Sequence, residues 1–344
     1  MHGYERPWLK LKEVEMNGYC DRIGALVSVV LPTFNRSRLL IDALDSVVHQ
    51  TYSPIEVIVV DDGSQDDTKA RFDAWALKQD ATLKATYIYQ QNQGGNVARN
   101  RGIEAAQGQF VAFLDSDDLW HPEKLQSQIS VFSDEPEFGA VYCGVRHVDA
   151  ETGAITEPSS RAYPSGQLLE QMLVKDVTAP TSTYVVRREV FDEVGLFDTS
   201  LKARQDWDMW IRVAARYPIG CVAKPMVDFR DHAGPRTASN PQKEIDGYRF
   251  IREKYASLLQ EAPRSVRLKA AASYYRRMGR VHLHHSISRP KALGYYVASI
   301  VTWPFDFDSY AAFAGFFLPG NFRASLHRGW NKVFGKTPFS IRSH

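Results

Sequence analysis

Leu26-Val-Ser-Val-Val-Leu-Pro32 is short, β-branched and almost without polar alternation, the composition of a strand buried on both faces of a parallel sheet. Behind it, Leu39, Ala43 and Val47 recur at i, i+4 and i+8, and Leu40, Leu44 and Val48 run beside them. That spacing predicts a helix packing an apolar stripe on a sheet, with Asn35 as its N-cap. Ile55 to Asp61 (IEVIVVD) repeats the strand, and Ser64 and Asp67 have the spacing of a capping box for a second helix. A third strand near TYIYQ (86–90), the loop NQGG (92–95), a helix from Val97 to Ala106 and the apolar run QFVAFLD (Gln109 to Asp115) complete β-α-β-α-β-α-β. The fold expected is α/β: a mostly parallel open sheet flanked by helices, which binds ligands at the carboxyl ends of its strands. Thr33, Asp61, Asp62, Asp115 and Asp117 all fall at or just past those ends.

Composition narrows the class. With 44% hydrophobic and 24% charged residues among 344, neither a disordered nor a fibrous chain is indicated. Cys20, Cys143 and Cys221 are odd in number and widely spaced, so neither a disulfide framework nor a zinc pattern is present, which fits a reducing compartment. Residues 1–20 lack an uninterrupted apolar core and do not read as a secretory signal, so a cytoplasmic location is expected.

Asp115-Ser-Asp-Asp118 follows an apolar strand directly, and period-two geometry turns Asp115 and Asp117 to one side of the chain, where both could reach one cation. Hard oxygen ligands suit Mn²⁺ or Mg²⁺ bridging carboxylates to a diphosphate. Asp118, before LWHPEKL, is either a further acid of this group or a helix cap. Asp61 and Asp62 end a neighbouring strand, and so many acids at one edge are costly without a cation or donor groups.

Together VSVVLPTFNR, VIVVDDGSQDDT, NQGGNVARNRG and VAFLDSDDLWHP resemble the catalytic domain of glycosyltransferase family 2, with its GT-A fold, over about Leu26 to Phe229. The resemblance implies an inverting transfer of sugar from a nucleotide diphosphate donor, UDP by default. It places Pro32 and Thr33 at the nucleotide, Asp62 with Asp61 beside it at the base, and Arg99 near the diphosphate or holding Asp62. Asp115 and Asp117 would serve donor and metal. An inverting mechanism needs one carboxylate to take the acceptor proton. Asp206 and Asp208 in QDWDMWIR point about 200° apart on a helix, so only one can face the site. Asp206 matches the family's base position, with Gln205 standing where Glu is common. His232 in RDHAG resembles a position near the diphosphate but also suits a solvated loop. Gly94 and Gly95 fit a turn and carry no chemistry, and Trp207 and Trp210 are expected in the core.

The expected organisation is an N-terminal extension (1–25), a catalytic domain (26–240) and a basic helical region (241–344). Within the catalytic domain a nucleotide-binding half ends at 120, and an acceptor-side half contains GAVYCGV, STYVVRR and a helix through WDMWIRVAARY. The linker is DHAGPRTASNP (231–241). Pro263 to His344 holds 13 Lys and Arg against two acids, a net +11 that leaves −9 for residues 1–262. Its apolar stretches LGYYVASIVTWPF and YAAFAGFFLPG are too short to span a bilayer. They suit either a peripheral contact with the cytoplasmic face of a membrane, as a lipid-linked saccharide acceptor would require, or packing on the core or a second subunit. Nucleic acid is not an expected partner. Two rivals remain: a nucleotidyltransferase, for which PTFNRSR lacks a Gly-rich phosphate loop, and a non-catalytic nucleotide-sugar-binding protein of the same fold. A dinucleotide oxidoreductase is disfavoured because no G-x-G-x-x-G follows the first strand.

Overall fold

The structure, a computed structural model, describes residues 24–157, 163–231 and 240–317. These fall into two compact units, the larger within Met1–Leu169, Val177–Leu201 and Gln205–Gly234, the other within Glu170–Asp176, Lys202–Arg204 and Pro235–His344.

The larger unit is the α/β body. Strands β1 (Val27–Thr33), β2 (Ile55–Asp61), β3 (Lys84–Tyr89) and β4 (Phe110–Phe113) pair in parallel in the order β3-β2-β1-β4. Helices α1 (Ser37–Val48), α2 (Thr68–Ala76) and α3 (Gly95–Ala105) connect them. Beyond β4 the sheet becomes mixed. Strand β8 (Val185–Arg187) runs antiparallel to β4 and to β6 (Ala140–Asp149), β9 (Ile219–Asp231) runs parallel to β6, and β5 (Asp118–Trp120) closes the path antiparallel to β9. The short β7 (Ile155–Glu157) pairs only with β6. The expected mixed pattern after Gly139 is therefore one continuous sheet with the Rossmann-like half.

The central strands are apolar runs because helices cover them. Val29, Leu31, Val57 and Val59 are fully buried with Leu40, Leu44 and Val47 of α1 in one core, which also takes Phe72 and Trp75 of α2. Where α3 crosses β1, a Cβ at Gly102 would meet Val30 Cγ1 at 2.3 Å, so only glycine permits that approach.

Three local expectations are corrected. Asn35 does not cap α1: it lies in the left-handed region at φ 51°, and its Oδ1 accepts from Gln65 N (2.8 Å). The Ser64–Asp67 capping box does not form, because Ser64 Oγ accepts from Asn35 N (2.8 Å) and Asp66 receives the N–H groups of Ser37 (3.2 Å) and Thr68 (3.1 Å). The loops after β1 and β2 thus exchange partners, and long-range partners win over local capping. Asp118 opens strand β5 and caps no helix.

The other unit is helical: α8 (Pro241–Lys254), α9 (Ala256–Glu261), α10 (Arg264–His284), α11 (Arg289–Thr302) and α12 (Phe307–Phe316). Asn240 caps α8 through Gln242 N (3.0 Å) and Lys243 N (3.2 Å), with Pro241 at the first helical position. α10 and α11 pack closely at Gly279, where a Cβ would stand 2.7 Å from Tyr296 Cε1. Ser299 Oγ joins Ala272 O (2.7 Å) and Ser309 Oγ (2.6 Å) in the buried joint of α10, α11 and α12. Among the described residues no helix is long and apolar enough to cross a membrane.

One core residue is out of character. Lys124, which begins helix α4 (Lys124–Asp134), is fully buried, with Nζ 3.9 Å from the Trp120 ring centroid and no hydrogen-bond partner among the described residues. Burial pushes its ammonium pKa down to about 8 from 10.5, against an opposing pull from Cys143. The unfolded chain therefore binds the extra proton more readily than the folded one. The penalty is full below pH 8 and vanishes above pH 10.5. Lys124→Met should raise stability at neutral pH by about 1–3 kcal/mol, with the gain shrinking towards pH 10.5, as urea unfolding across pH would measure.

Candidate active site

Thr33 lies in register with Asp61, and Asp62 N donates to Thr33 O (2.9 Å), so the ends of β1 and β2 are tied together. Asp61 accepts from Ser64 N (2.8 Å) and from the Tyr87 hydroxyl. Burial and this carboxylate together raise the Tyr87 pKa, keeping the phenol protonated. Asp62 accepts from Gln90 Nε2, Gln93 N and Gly94 N, each at 2.8 Å. Those bonds require Gly94 at φ 96°, a conformation natural to glycine, and they set the chain entering α3. Pro32 lies partly buried one residue before this junction.

The acids after β4 are organised by arginines. Arg99, buried on α3, donates from Nη2 to Asp115 Oδ1 at 2.6 Å. Burial opposes its charge, but Asp115, Asp206 and Asp117 outweigh that cost and raise its pKa. Asp206, 91 residues beyond Asp115 in the chain, is thereby within electrostatic reach of the same guanidinium as the two acids after β4. Asp117 pairs with Arg36 Nη1 at 2.8 Å, and its carbonyl accepts from Arg230 Nε (2.7 Å). Asp118 is buried. Burial first, and then the charges of Asp117 and Asp115, push its pKa well up, although it accepts from Ser182 Oγ (2.5 Å). Ser182 Oγ also receives Asp115 N (3.1 Å), so the short turn Thr181–Thr183 supports two of the acids.

Helix α7 (Gln205–Ala214) presents the remaining candidates. Asp208 is buried and paired with Arg212 Nε (3.0 Å). Arg212 also donates to the carbonyls of Gly195 (3.1 Å) and Leu196 (2.9 Å), which makes Asp208 part of the scaffold. Trp207 and Trp210 are buried, Trp210 stacking on Tyr184 with centroids 3.5 Å apart. His232 lies outside the described residues.

Sequence reasoning missed Arg36, Tyr87, Gln90 and Ser182. Only Arg36 left a signal, as a cation just beyond the first strand; the others act through pairings that span the chain. Thr33 Oγ1, Gln90 Oε1, Arg99 Nε and Gln205 Oε1 are buried polar atoms without a hydrogen-bond partner among the described residues. Buried polar groups are normally paired, so a polar ligand suits the elements that carry them. Among the described residues no group of three or more His, Cys, Asp or Glu forms a metal cage. Carboxylates crowded after β4 fit instead a hard divalent cation that takes its other ligands from a diphosphate. Asp115 and Asp117 are the residues that could hold it.

The Arg99–Asp115 pair should behave as a unit. In a double-mutant cycle, Arg99→Ala and Asp115→Ala should show a coupling of about 1–3 kcal/mol in unfolding free energy. Additive effects would mean that the contact carries no interaction energy.

Known proteins agree with this architecture. Residues 28–195 match the family model described as Glycosyl transferase family 2. An uncharacterized glycosyltransferase of Rickettsia felis is 31% identical over 217 residues, which cover 63% of this chain and 35% of that protein. The chain thus spans about a third of that relative's length. The provisionally named colanic acid biosynthesis glycosyl transferase WcaA of Escherichia coli (strain K12) is 28% identical over 252 residues, covering 71% of this chain and 86% of that protein. Among solved structures, S. aureus TarS 1-349 in complex with UDP-GlcNAc superposes with a TM-score of 0.59 at 20% identity, covering 88% of this chain and 92% of that one. The mannosyltransferase PcManGT from Pyrobaculum calidifontis, in complex with GDP-Man and Mn²⁺, gives 0.56 at 20% identity, covering 92% and 82%. Residues 28–195 thus match a glycosyltransferase family 2 domain, and the fold is GT-A-like, as in these neighbours.

Proposed function

We propose that this chain is an inverting, metal-dependent glycosyltransferase that moves a sugar from a nucleotide diphosphate sugar, by default a UDP-sugar, to an acceptor hydroxyl. The observation that carries the proposal is that buried Arg99 pairs with Asp115 at 2.6 Å while its charge is also favoured by Asp206, from a distant helix, and by Asp117. Donor-side acids and a separate carboxylate at a helix start are what a displacement at the anomeric carbon needs on its two sides.

In this reading Pro32, Thr33 and the Asp61–Asp62 pair shape the nucleotide end. Asp62, saturated by the 90–94 loop, acts by holding that loop and its backbone in place. Arg99 orients Asp115 and offers fixed charge to the diphosphate. Mn²⁺ or Mg²⁺ held by Asp115 and Asp117 would supply charge that offsets the leaving diphosphate. Asp206 takes the proton of the acceptor hydroxyl as that oxygen bonds to the anomeric carbon, while the bond to the diphosphate breaks with its electron pair. Gln205 can hydrogen-bond a sugar hydroxyl through its amide.

The donors in the complexes of TarS (UDP-GlcNAc) and PcManGT (GDP-Man with Mn²⁺) support a nucleotide sugar and a divalent ion. The name of WcaA, with its colanic acid biosynthesis, supports a saccharide acceptor in polysaccharide assembly; a lipid-linked acceptor and a place at the cytoplasmic face of the membrane are part of the proposal alone.

A panel of nucleotide sugars with Mn²⁺ or Mg²⁺, read by nucleotide release, tests the proposal. One donor should give a signal that chelation and Asp117→Ala both abolish. Asp206→Asn should lower turnover by about 10²–10⁴-fold while nucleotide affinity stays within a few-fold. Unchanged turnover in Asp206→Asn would remove that residue from the base role.

A further inference from the structure

A surface helix ordinarily turns its apolar stripe inward and its charges to water. Parts of α11 and α12 do the opposite. Val297 and Val301 on α11, Phe305 in the turn, and Phe307, Tyr310 and Phe317 on and just after α12 all face solvent. Val301, Phe305 and Phe307 are 76%, 74% and 75% exposed. Of the 11 large apolar residues exposed among those described, seven lie between Ile287 and Phe317. The inward positions are already filled, since Ala292, Tyr296 and Ser299 of α11 and Ser309 and Phe316 of α12 are buried. The outer apolar residues thus come in addition to those that hold the unit together, Val297 and Val301 lying one turn apart on α11 and Phe307 and Tyr310 about one turn apart on α12.

From Pro263 onward the sequence is strongly basic, 13 Lys and Arg against two acids. The only acids from Pro263 onward, Asp306 and Asp308, are both taken up by Arg276, Asp306 in close contact and Asp308 at 3.8 Å. Arg289 and Lys291 lie exposed at the start of α11, and Lys269 stands 5.4 Å from the Trp303 ring centroid. In sequence, residues 318–344 carry five Lys or Arg and no acid.

We infer that the outer face of α11 and α12 docks in the plane of an anionic lipid bilayer. Aromatic and aliphatic side chains would enter the headgroup boundary and the cations would meet the acidic lipids. With 14 and 10 residues the helices are about 21 and 15 Å long, too short to cross the hydrocarbon core, so the face lies on the membrane. A second copy of the same face is the poorer occupant, because a two-fold contact would bring like charges together. This inference rests on the helical unit alone and stands or falls separately from the transferase reading.

Co-sedimentation of the full chain with vesicles tests it. Vesicles of phosphatidylcholine with about a third phosphatidylglycerol should bind the protein at least tenfold more tightly than phosphatidylcholine alone, and high salt should weaken binding. Val301→Asp with Phe305→Asp should cut binding by about tenfold or more, and Arg289→Glu with Lys291→Glu should remove the preference for acidic lipid. All these positions are exposed, and thermal melting together with circular dichroism would verify that the variants stay folded. No binding, equal binding to neutral vesicles, or wild-type binding by both variants would overturn the inference. So would a purified dimer that Val301→Asp with Phe305→Asp converts to monomer.

Discussion

The site depends on a balance of charge around one buried guanidinium. Arg99 sits on α3, a helix whose entry is fixed by Asp62 and Gly94, and it meets the carboxylate of Asp115 at 2.6 Å while Asp117 and Asp206 add to its field. Asp115 and Asp117 are two residues apart and Asp206 comes from a distant helix. Repulsion would drive such a group apart unless it shared a cation. Arg36 on Asp117, and Arg230 on the Asp117 carbonyl, extend the compensation to the loop after β1 and to β9. The loop after β1, helix α3 and β9 thus each contribute to holding the acids in place.

The same edge is held by exchanged backbone contacts. The loops after β1 and β2 satisfy each other through Asn35, Ser64 and Asp66, and β2 and β3 are joined through Asp61 and Tyr87. Polar residues that sequence rules assign to helix caps are here shared between neighbouring loops. These exchanges tie the strand ends together at the rim, while the central strands below it are mostly apolar.

The parallel half was legible because its strands are continuous apolar runs and α1 has a clear stripe. The positions of Asp61, Asp62, Asp115 and Asp117 at the strand ends followed from that alone. The caps were misread because Asn35 and Ser64 find partners about 30 residues away, which no local window contains. Asp118 looked like a cap and lies in β5, whose pairing with β9 joins residues more than a hundred positions apart. Ser182 and Tyr87 left no signal for the same reason. The reach of Arg99 to Asp206 required the fold, whereas the opposition of Asp206 and Asp208 followed from helix geometry. Lys124 stands against composition rules altogether, a lysine buried over the Trp120 ring.

The most direct measurement of the central claim is calorimetric titration of UDP into the protein with and without Mn²⁺, on the wild type and on Asp117→Ala. If the acids held by Arg36 and Arg99 form a cation-bridged nucleotide site, Mn²⁺ will strengthen UDP binding to the wild type and leave the variant unchanged. Equal enhancement in both proteins, or metal-independent binding in the wild type, would contradict the account.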